Sequence, residues 1–187
     1  IQWAILNGDA TTGITIMQMS LEMDAGDILL QRETPIAATE TYGTLQERLA
    51  DLGAQALEEA LAQLQAGTLP RTPQDHSLAT LAPMIQKRDA QIDWTQDAAH
   101  IARMVRGYHP WPVAYTALGD LRLQVHVAHS DPTPATATPG TVTAIDTVVT
   151  VATGNGHVQL EAVQPAGRKR MSAVEFARGR ALQVGMT

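Results

Sequence analysis

Hydrophobic and polar positions change period several times along this chain, and the changes mark its elements. Residues 1–9, ending Leu6-Asn7-Gly8-Asp9, read as the tail of a helix closed by Asn-Gly, a pair that tolerates the left-handed backbone of helix ends. The stretch 13–19 is β-branched and partly alternating, which predicts a strand. A polar loop follows at 21–27, and 28–34 predicts a second strand. Thr44 and Glu47 have the spacing of a capping box, so a helix is expected to open at Thr44. Its apolar stripe is Leu45, Leu49, Leu52, Ala56, Leu57, Ala60, Leu61 and Leu64, and Gly67 closes it.

From 68 to 87 the composition shifts to Pro, Thr and polar residues, with Pro70, Pro73 and Pro83, and reads as a linker over the surface. Ile92-Asp93-Trp94 starts a new unit. Thr95 or Gln96 leads into a short helix with Ala98, Ile101, Ala102 and Val105 facing inward, ended by Pro110-Trp111-Pro112. Strands are expected at 113–117, 121–129, 140–145, 148–152 and 157–163, with a Pro-, Thr- and Ala-rich loop at 131–139. Short strands at this spacing, with Gly-Asp and Asn-Gly turns, predict a small barrel. Ser172 is placed to cap a last helix at 173–178, with Gly179 ending it. The expected organisation is a first domain at 1–66, a linker at 67–88 and a second domain at 89–187.

Composition narrows this picture. At 187 residues with 44% hydrophobic content, the chain can bury the cores of one large domain or two small ones. No apolar run approaches the roughly 20 residues of a membrane span, and no secretory leader is expected. It starts on Ile1-Gln2-Trp3 without an initiator Met, so an upstream segment is expected. Cysteine is absent, which excludes disulfides and thiolate metal sites and fits a reducing, cytoplasmic location. The histidines (His76, His100, His109, His126, His129, His157) are scattered. His126 and His129 share a predicted strand at odd spacing, which should point their rings to opposite faces and leave no shared metal site. No metal is expected.

The net charge of −6 disfavours nucleic acid for the molecule as a whole. Charge is uneven, however, and Arg168-Lys169-Arg170 forms a tight cationic cluster after Gly167 with no acid nearby in sequence. It is either a solvated turn or a phosphate contact, and the unpaired clustering favours phosphate. Lys87 and Arg88 form a second candidate, and Arg103 and Arg106 lie one helical turn apart where they can extend the same stripe. Trp94 and Trp111 read as barrel core in preference to base-stacking platforms. Asp24-Ala25-Gly26, between two predicted strands, is either a solvated turn or a tight loop aiming a carboxylate into a cleft.

The run Gly8-Asp9-Ala10-Thr11-Thr12-Gly13-Ile14-Thr15-Ile16-Met17-Gln18-Met19, with Met23-Asp24-Ala25-Gly26-Asp27-Ile28-Leu29, resembles the folate-dependent formyltransferases. Ile92-Asp93-Trp94, Pro110-Trp111-Pro112 and Gln164-Pro165-Ala166-Gly167-Arg168-Lys169-Arg170-Met171 resemble the methionyl-tRNA formyltransferases within that group. The resemblance covers almost the whole chain. It implies the C-terminal portion of a Rossmann-like α/β formyltransferase domain followed by an OB-like β-barrel that binds tRNA. It implies formyl transfer from 10-formyltetrahydrofolate to the α-amine of methionyl initiator tRNA, in translation initiation, by a protein that is a monomer when complete. Asp24 then corresponds to a catalytic Asp. Leu21, Glu22, Met23, Asp24 and Ala25 would wall the folate pocket, mainly through backbone groups. Lys87, Arg88, Arg103, Arg106, Arg168, Lys169 and Arg170 would face tRNA.

The family's Asn-x-His motif, which supplies donors for the developing oxyanion, and its Ser-Leu-Leu-Pro segment are both absent from this sequence. Both are expected upstream of Ile1, so this chain alone is expected to be an inactive, N-terminally truncated fragment. Asp24 would keep the missing His protonated and oriented. Two other readings stand beside this one: formyl transfer to a nucleotide-sugar amine, against which the 164–171 segment argues, and a non-catalytic RNA-binding fragment.

Overall fold

The two early strands pair with each other. In the computed structural model, which describes residues 1–187, β1 (Thr11–Met17) and β2 (Ile28–Pro35) form an antiparallel two-stranded sheet. β1 stops short of Met19 because Gln18 turns to donate its backbone N–H to the Asp27 carbonyl, 2.9 Å away. Helix α2 (Tyr42–Gln65) packs on both strands through Leu45, Leu49, Ala56 and Ala60, all buried. The capping box sits one turn earlier than the sequence suggested. Thr41 is the N-cap and Thr44 is its reciprocal partner, because a Thr at each end of that four-residue spacing satisfies both orphan amides. Gly67, at φ 69°, closes the helix as expected.

Only one row of the predicted stripe is covered. Leu57, Leu61 and Leu64 are about half exposed, at 48%, 52% and 57%, since two strands are too narrow to cover a second row of side chains. Polar contacts strengthen the joint between α2 and β2. Arg48 donates to both carboxylate oxygens of Glu40, at 2.9 and 2.8 Å, and also to Thr34 Oγ1 and the Pro35 carbonyl. Arg32 pairs with Glu59. The segment after α2 adds a reciprocal backbone pair, Ile28 with Thr72, at 2.8 and 2.9 Å. It then runs through a short 3-10 turn at His76–Leu78 with Leu78, Leu81 and Met84 exposed. These parts form one compact unit, Asp9–Met84 together with Ile1.

The second unit comprises Gln2–Gly8 and Ile85–Thr187. Helix α1 (Gln2–Asn7), which the sequence reading grouped with β1 and β2, packs instead on α3 (Ala98–Gly107), because Leu6 buries itself in the second unit's apolar core. Six further strands follow: β3 (Tyr115–Leu118), β4 (Leu121–Asp131), β5 (Val142–Ile145), β6 (Val149–Ala152), β7 (His157–Pro165) and the short β8 (Met171–Ser172). They form one antiparallel sheet in the order β3-β4-β7-β6-β5, with β8 also on β7. The sheet curls into a half-barrel whose end strands, β3 and β5, do not pair. The free edge of β5 is met by the chain's last residues: Gly185 donates to the Val142 carbonyl and Val142 to that of Met186, both at 2.8 Å.

Ile101 and Val105 of α3 and Val125, Val158 and Val163 of the sheet are fully buried. Burial of each such side chain stabilises by about 1.5–3 kcal/mol. Helix α4 (Ala173–Arg180) is capped by Ser172, as expected, in a box with Glu175. It runs through Gly179 and ends at Ala181, which takes the left-handed conformation at φ 52°. Trp94 is partly buried, donating from Nε1 to Thr116 Oγ1 at 3.0 Å. Trp111 is not core: it is 48% exposed, because the corner after α3 buries Tyr108, Val113 and Ala114 instead. No helix is long and apolar enough to cross a membrane.

Candidate functional site

Two places gather the chemistry, one in each unit. In the first, the chain leaves β1 at Gln18 and returns at Asp27, and the loop between has no regular structure. Its base is pinched: a side chain on Gly26 would meet the Gln18 carbonyl at 1.6 Å, so only glycine fits. At its tip Asp24 is exposed and takes the left-handed conformation, φ 56°, unusual for a residue with a Cβ. Leu21, Met23 and Met19 project into solvent, at 108%, 91% and 85% exposure. Met23 and Asp24 form a turn whose Glu22 carbonyl also accepts from Ser20 Oγ, and the N–H groups of Leu21, Glu22, Met23 and Asp24 make no backbone hydrogen bond. The loop therefore offers free main-chain donors, exposed apolar side chains and one carboxylate, a set suited to the polar edge and flat face of a heterocycle.

Sequence reasoning missed the residue that holds this loop. Gln74 Nε2 donates to the carbonyls of Asp24 and Gly26, at 2.8 and 2.7 Å. Gln74 lies in the segment read as a linker. Its acceptors are main-chain oxygens 50 and 48 residues away, so no spacing in the sequence marks it.

The second place is the turn between β7 and β8. Arg168, Lys169 and Arg170 are all exposed there, and none forms an ion pair. The turn is held from the sheet side, where Gln164 Nε2 donates to the Arg168 carbonyl at 2.8 Å. Gln164 Oε1 faces His126 Nε2 at 3.1 Å, so with the amide in this orientation His126 carries its proton on Nε2. His126 Nδ1 is buried without a partner. The His109 ring meets His126 edge-on, with centroids 5.6 Å apart. Burial holds both imidazoles below the ordinary histidine range, and the nearby Arg170 guanidinium depresses them further. The Pro110-Trp111-Pro112 corner and the 164–171 segment, far apart in sequence, thus meet around these rings.

The expectation that His126 and His129 face opposite sides fails. A bulge in the β4–β7 pairing around Val125–Ala128 shifts the alternation by one residue: Leu123, Val125 and Ala128 are buried, and both histidines lie off the core. His129 contacts Glu161 at 3.2 Å instead.

The other candidate cations are not drawn into the turn. Lys87 and Arg88 are exposed in a 3-10 turn (Lys87–Ala90), where Arg88 lies 3.9 Å from Asp89. Arg103 turns toward α1 and donates from Nε to the Leu6 carbonyl at 3.3 Å, while Arg106 sits in the last turn of α3.

Residues 84–181 match the family described as "Formyl transferase, C-terminal domain", and residues 1–61 match "Formyl transferase". A methionyl-tRNA formyltransferase of Geobacillus sp. (strain WCH70) is 45% identical over 192 residues, a match covering 100% of this chain and 60% of that protein. The chain therefore spans about 60% of the length of that relative. Among solved structures, HypX from Aquifex aeolicus in complex with tetrahydrofolic acid is similar at a TM-score of 0.69 and 21% identity, over 100% of this chain and 33% of that one. The methionyl-tRNA formyltransferase from Clostridium thermocellum is similar at a TM-score of 0.52 and 19% identity, over 68% of this chain and 55% of that one.

Proposed function

Because this chain belongs to the formyl transferase family, we propose that it is part of an enzyme that formylates the α-amine of methionyl initiator tRNA. The observation that carries this reading is the similarity along the whole chain, at 45% identity in one case, to proteins named methionyl-tRNA formyltransferase. On this reading the first unit is the end of a Rossmann-like catalytic domain, and the half-barrel is an OB-like module that meets tRNA. The protein acts in the cytoplasm as a monomer.

The formyl donor is 10-formyltetrahydrofolate, which supplies an activated one-carbon unit. The loop fits such a donor. Main-chain groups of Leu21, Glu22, Met23, Asp24 and Ala25 face its polar edge, and the Leu21 and Met23 side chains cover its flat face. Asp24 has a different task. An amine that becomes an amide gives up a proton, and an exposed carboxylate fixed at a loop tip can hold a protonated partner or accept a proton through water. Arg168, Lys169 and Arg170 contact phosphates, since surface cations without an ion pair gain most from a polyanion, and Lys87, Arg88, Arg103 and Arg106 are flanking positions.

The test uses the full-length protein with 10-formyltetrahydrofolate and either methionyl initiator tRNA or a nucleotide-linked amino sugar. Formylmethionine recovered from the tRNA, with no formylated sugar, is the expected result. Formyl transfer to the sugar alone overturns the reading.

A further inference from the structure

The Asp24 loop adopts a conformation that its own residues do not favour. A residue with a Cβ in the left-handed region costs on the order of 1 kcal/mol, and such a conformation persists where surroundings enforce it. The pinch at Gly26 and the Gln18–Asp27 hydrogen bond fix only the base of the loop. At the tip, the contact that reaches in from outside is Gln74. Both hydrogens of its side-chain amide are used, one on the Asp24 carbonyl and one on the Gly26 carbonyl.

The arm that carries Gln74 is itself anchored. Thr72, two residues before it, exchanges backbone hydrogen bonds with Ile28, where the loop re-enters β2. Pro73 restricts the intervening backbone and favours extended geometry at Thr72. Loop and clasp therefore start from one fixed point, and the amide spans a short, well-defined gap. We propose that Gln74 is a positioning residue for Asp24, fixing through these two main-chain carbonyls the direction in which the Asp24 carboxylate points. This rests on the functional reading of Asp24 above. The segment expected to be only a linker is then part of the catalytic machinery.

Glutamine is the side chain the geometry calls for. Glutamate of the same size would set a carboxylate against two carbonyl oxygens, and methionine would fill the space without donors. The test measures formyl transfer to methionyl-tRNA by the full-length protein, with rates expressed per folded molecule. Gln74→Glu and Gln74→Met should each lower kcat on the order of tenfold to a hundredfold, the scale of a misplaced reacting group, with KM for the charged tRNA unchanged. Gln74→Asn, which keeps the donors on a shorter arm, should lose less.

The decisive arm is the combination with Asp24→Asn. A residue that acts only through the Asp24 carboxylate has nothing further to lose, so Gln74→Glu should leave the residual rate of Asp24→Asn unchanged. Rates within about twofold of wild type for the Gln74 variants, or a loss that multiplies in full with that of Asp24→Asn, overturn the proposal. A silent Asp24→Asn removes Asp24 from the chemistry and the proposal with it. A damaging Asp24→Asn beside silent Gln74 variants removes the positioning role alone.

Discussion

The Asp24 loop and the half-barrel solve the problem of holding a shape by opposite means. The half-barrel buries Ile101, Val105, Val125, Val158 and Val163 in one apolar core. The first unit sets two strands against one helix, and at its chemically interesting end it relies on single polar contacts: the Gly26 pinch, the Thr72 pair and the Gln74 clasp. Apolar packing is non-directional and shared among many neighbours, so it tolerates local change. A hydrogen bond aims one group in one direction and is lost whole when its donor goes. Binding a large polyanion needs a stable platform. Proton chemistry needs an aimed carboxylate.

The most damaging way to test this contrast is through stability. Ile101→Ala removes a side chain that is 0% exposed at the centre of the second core. The cost should be about 2–5 kcal/mol, from lost transfer energy plus the cavity left behind. Denaturant unfolding of the full-length protein measures it, and kcat per folded molecule should stay unchanged. A cost far below that range would mean the half-barrel is loosely packed and the contrast overstated.

Asp24→Asn should give the mirror result. The side chain is exposed and close in shape to its replacement, so unfolding should be unaffected. Turnover should fall on the order of a hundredfold, the scale of a positioned acid–base group. Kinetics at saturating folate and tRNA check it. Near-normal turnover would leave Asp24 a solvated turn, which was the other reading of the sequence.

How much of this was legible in the sequence depended on whether the cause was local. The Ser172 cap and the inward set Ala98, Ile101, Ala102 and Val105 were readable, because caps and helical periodicity act within a turn or two. The helix opening at Thr41 was misread by one turn because Thr44 also has a partner at the right spacing. Leu57, Leu61 and Leu64 looked like core because periodicity reveals a stripe but not the width of what covers it. The bulge near Val125 is invisible locally, since it is a mismatch between two strands. Gln74 was hidden for the same reason: its partners are main-chain atoms of a distant loop. The candidate carboxylate was legible, and its support was not.

A smaller effect is expected from the cationic turn. Replacing Arg168, Lys169 and Arg170 with Ala in the full-length protein should weaken tRNA binding and flatten its dependence on salt. If all three residues contact phosphates, the slope should fall by up to about three, since each contact releases close to one counterion. Folate binding should not change, nor should stability at a pH where His109 and His126 are neutral, because the three side chains are exposed and form no ion pairs. Affinity measured at several salt concentrations decides the matter. Identical slopes would make the cluster an ordinary turn and shift attention to Lys87 and Arg88.

The smallest predicted effect joins the two kinds of support, because beneath that turn the half-barrel carries a polar network of its own. His109 and His126 are held below the ordinary histidine range, first by burial and then by Arg170, while the Gln164 contact on His126 acts in the opposite direction. Above the ordinary value of about 6.5 both rings are neutral in folded and unfolded chains alike, and their contribution is intact. As pH falls below it, the unfolded chain takes up protons that the folded chain resists, so stability is lost between the ordinary value and the depressed folded one. The expected observation is an unfolding midpoint that declines from about pH 7.5 to about pH 5.5, with a shallower decline in His126→Gln, which cannot charge. Arg170→Ala should also make it shallower, because removing the cation lets the rings accept protons more easily in the fold. Asp75, Asp93 and Asp131 are held below the usual carboxylate range chiefly by hydrogen bonds from Ser77, Gln96 and Thr133. Their contribution is kept above the ordinary carboxylate value of about 3.9 and lost only below it, outside this window. Equal declines in the wild type and both variants would show that burial beneath the basic turn places no constraint on the charge of these rings.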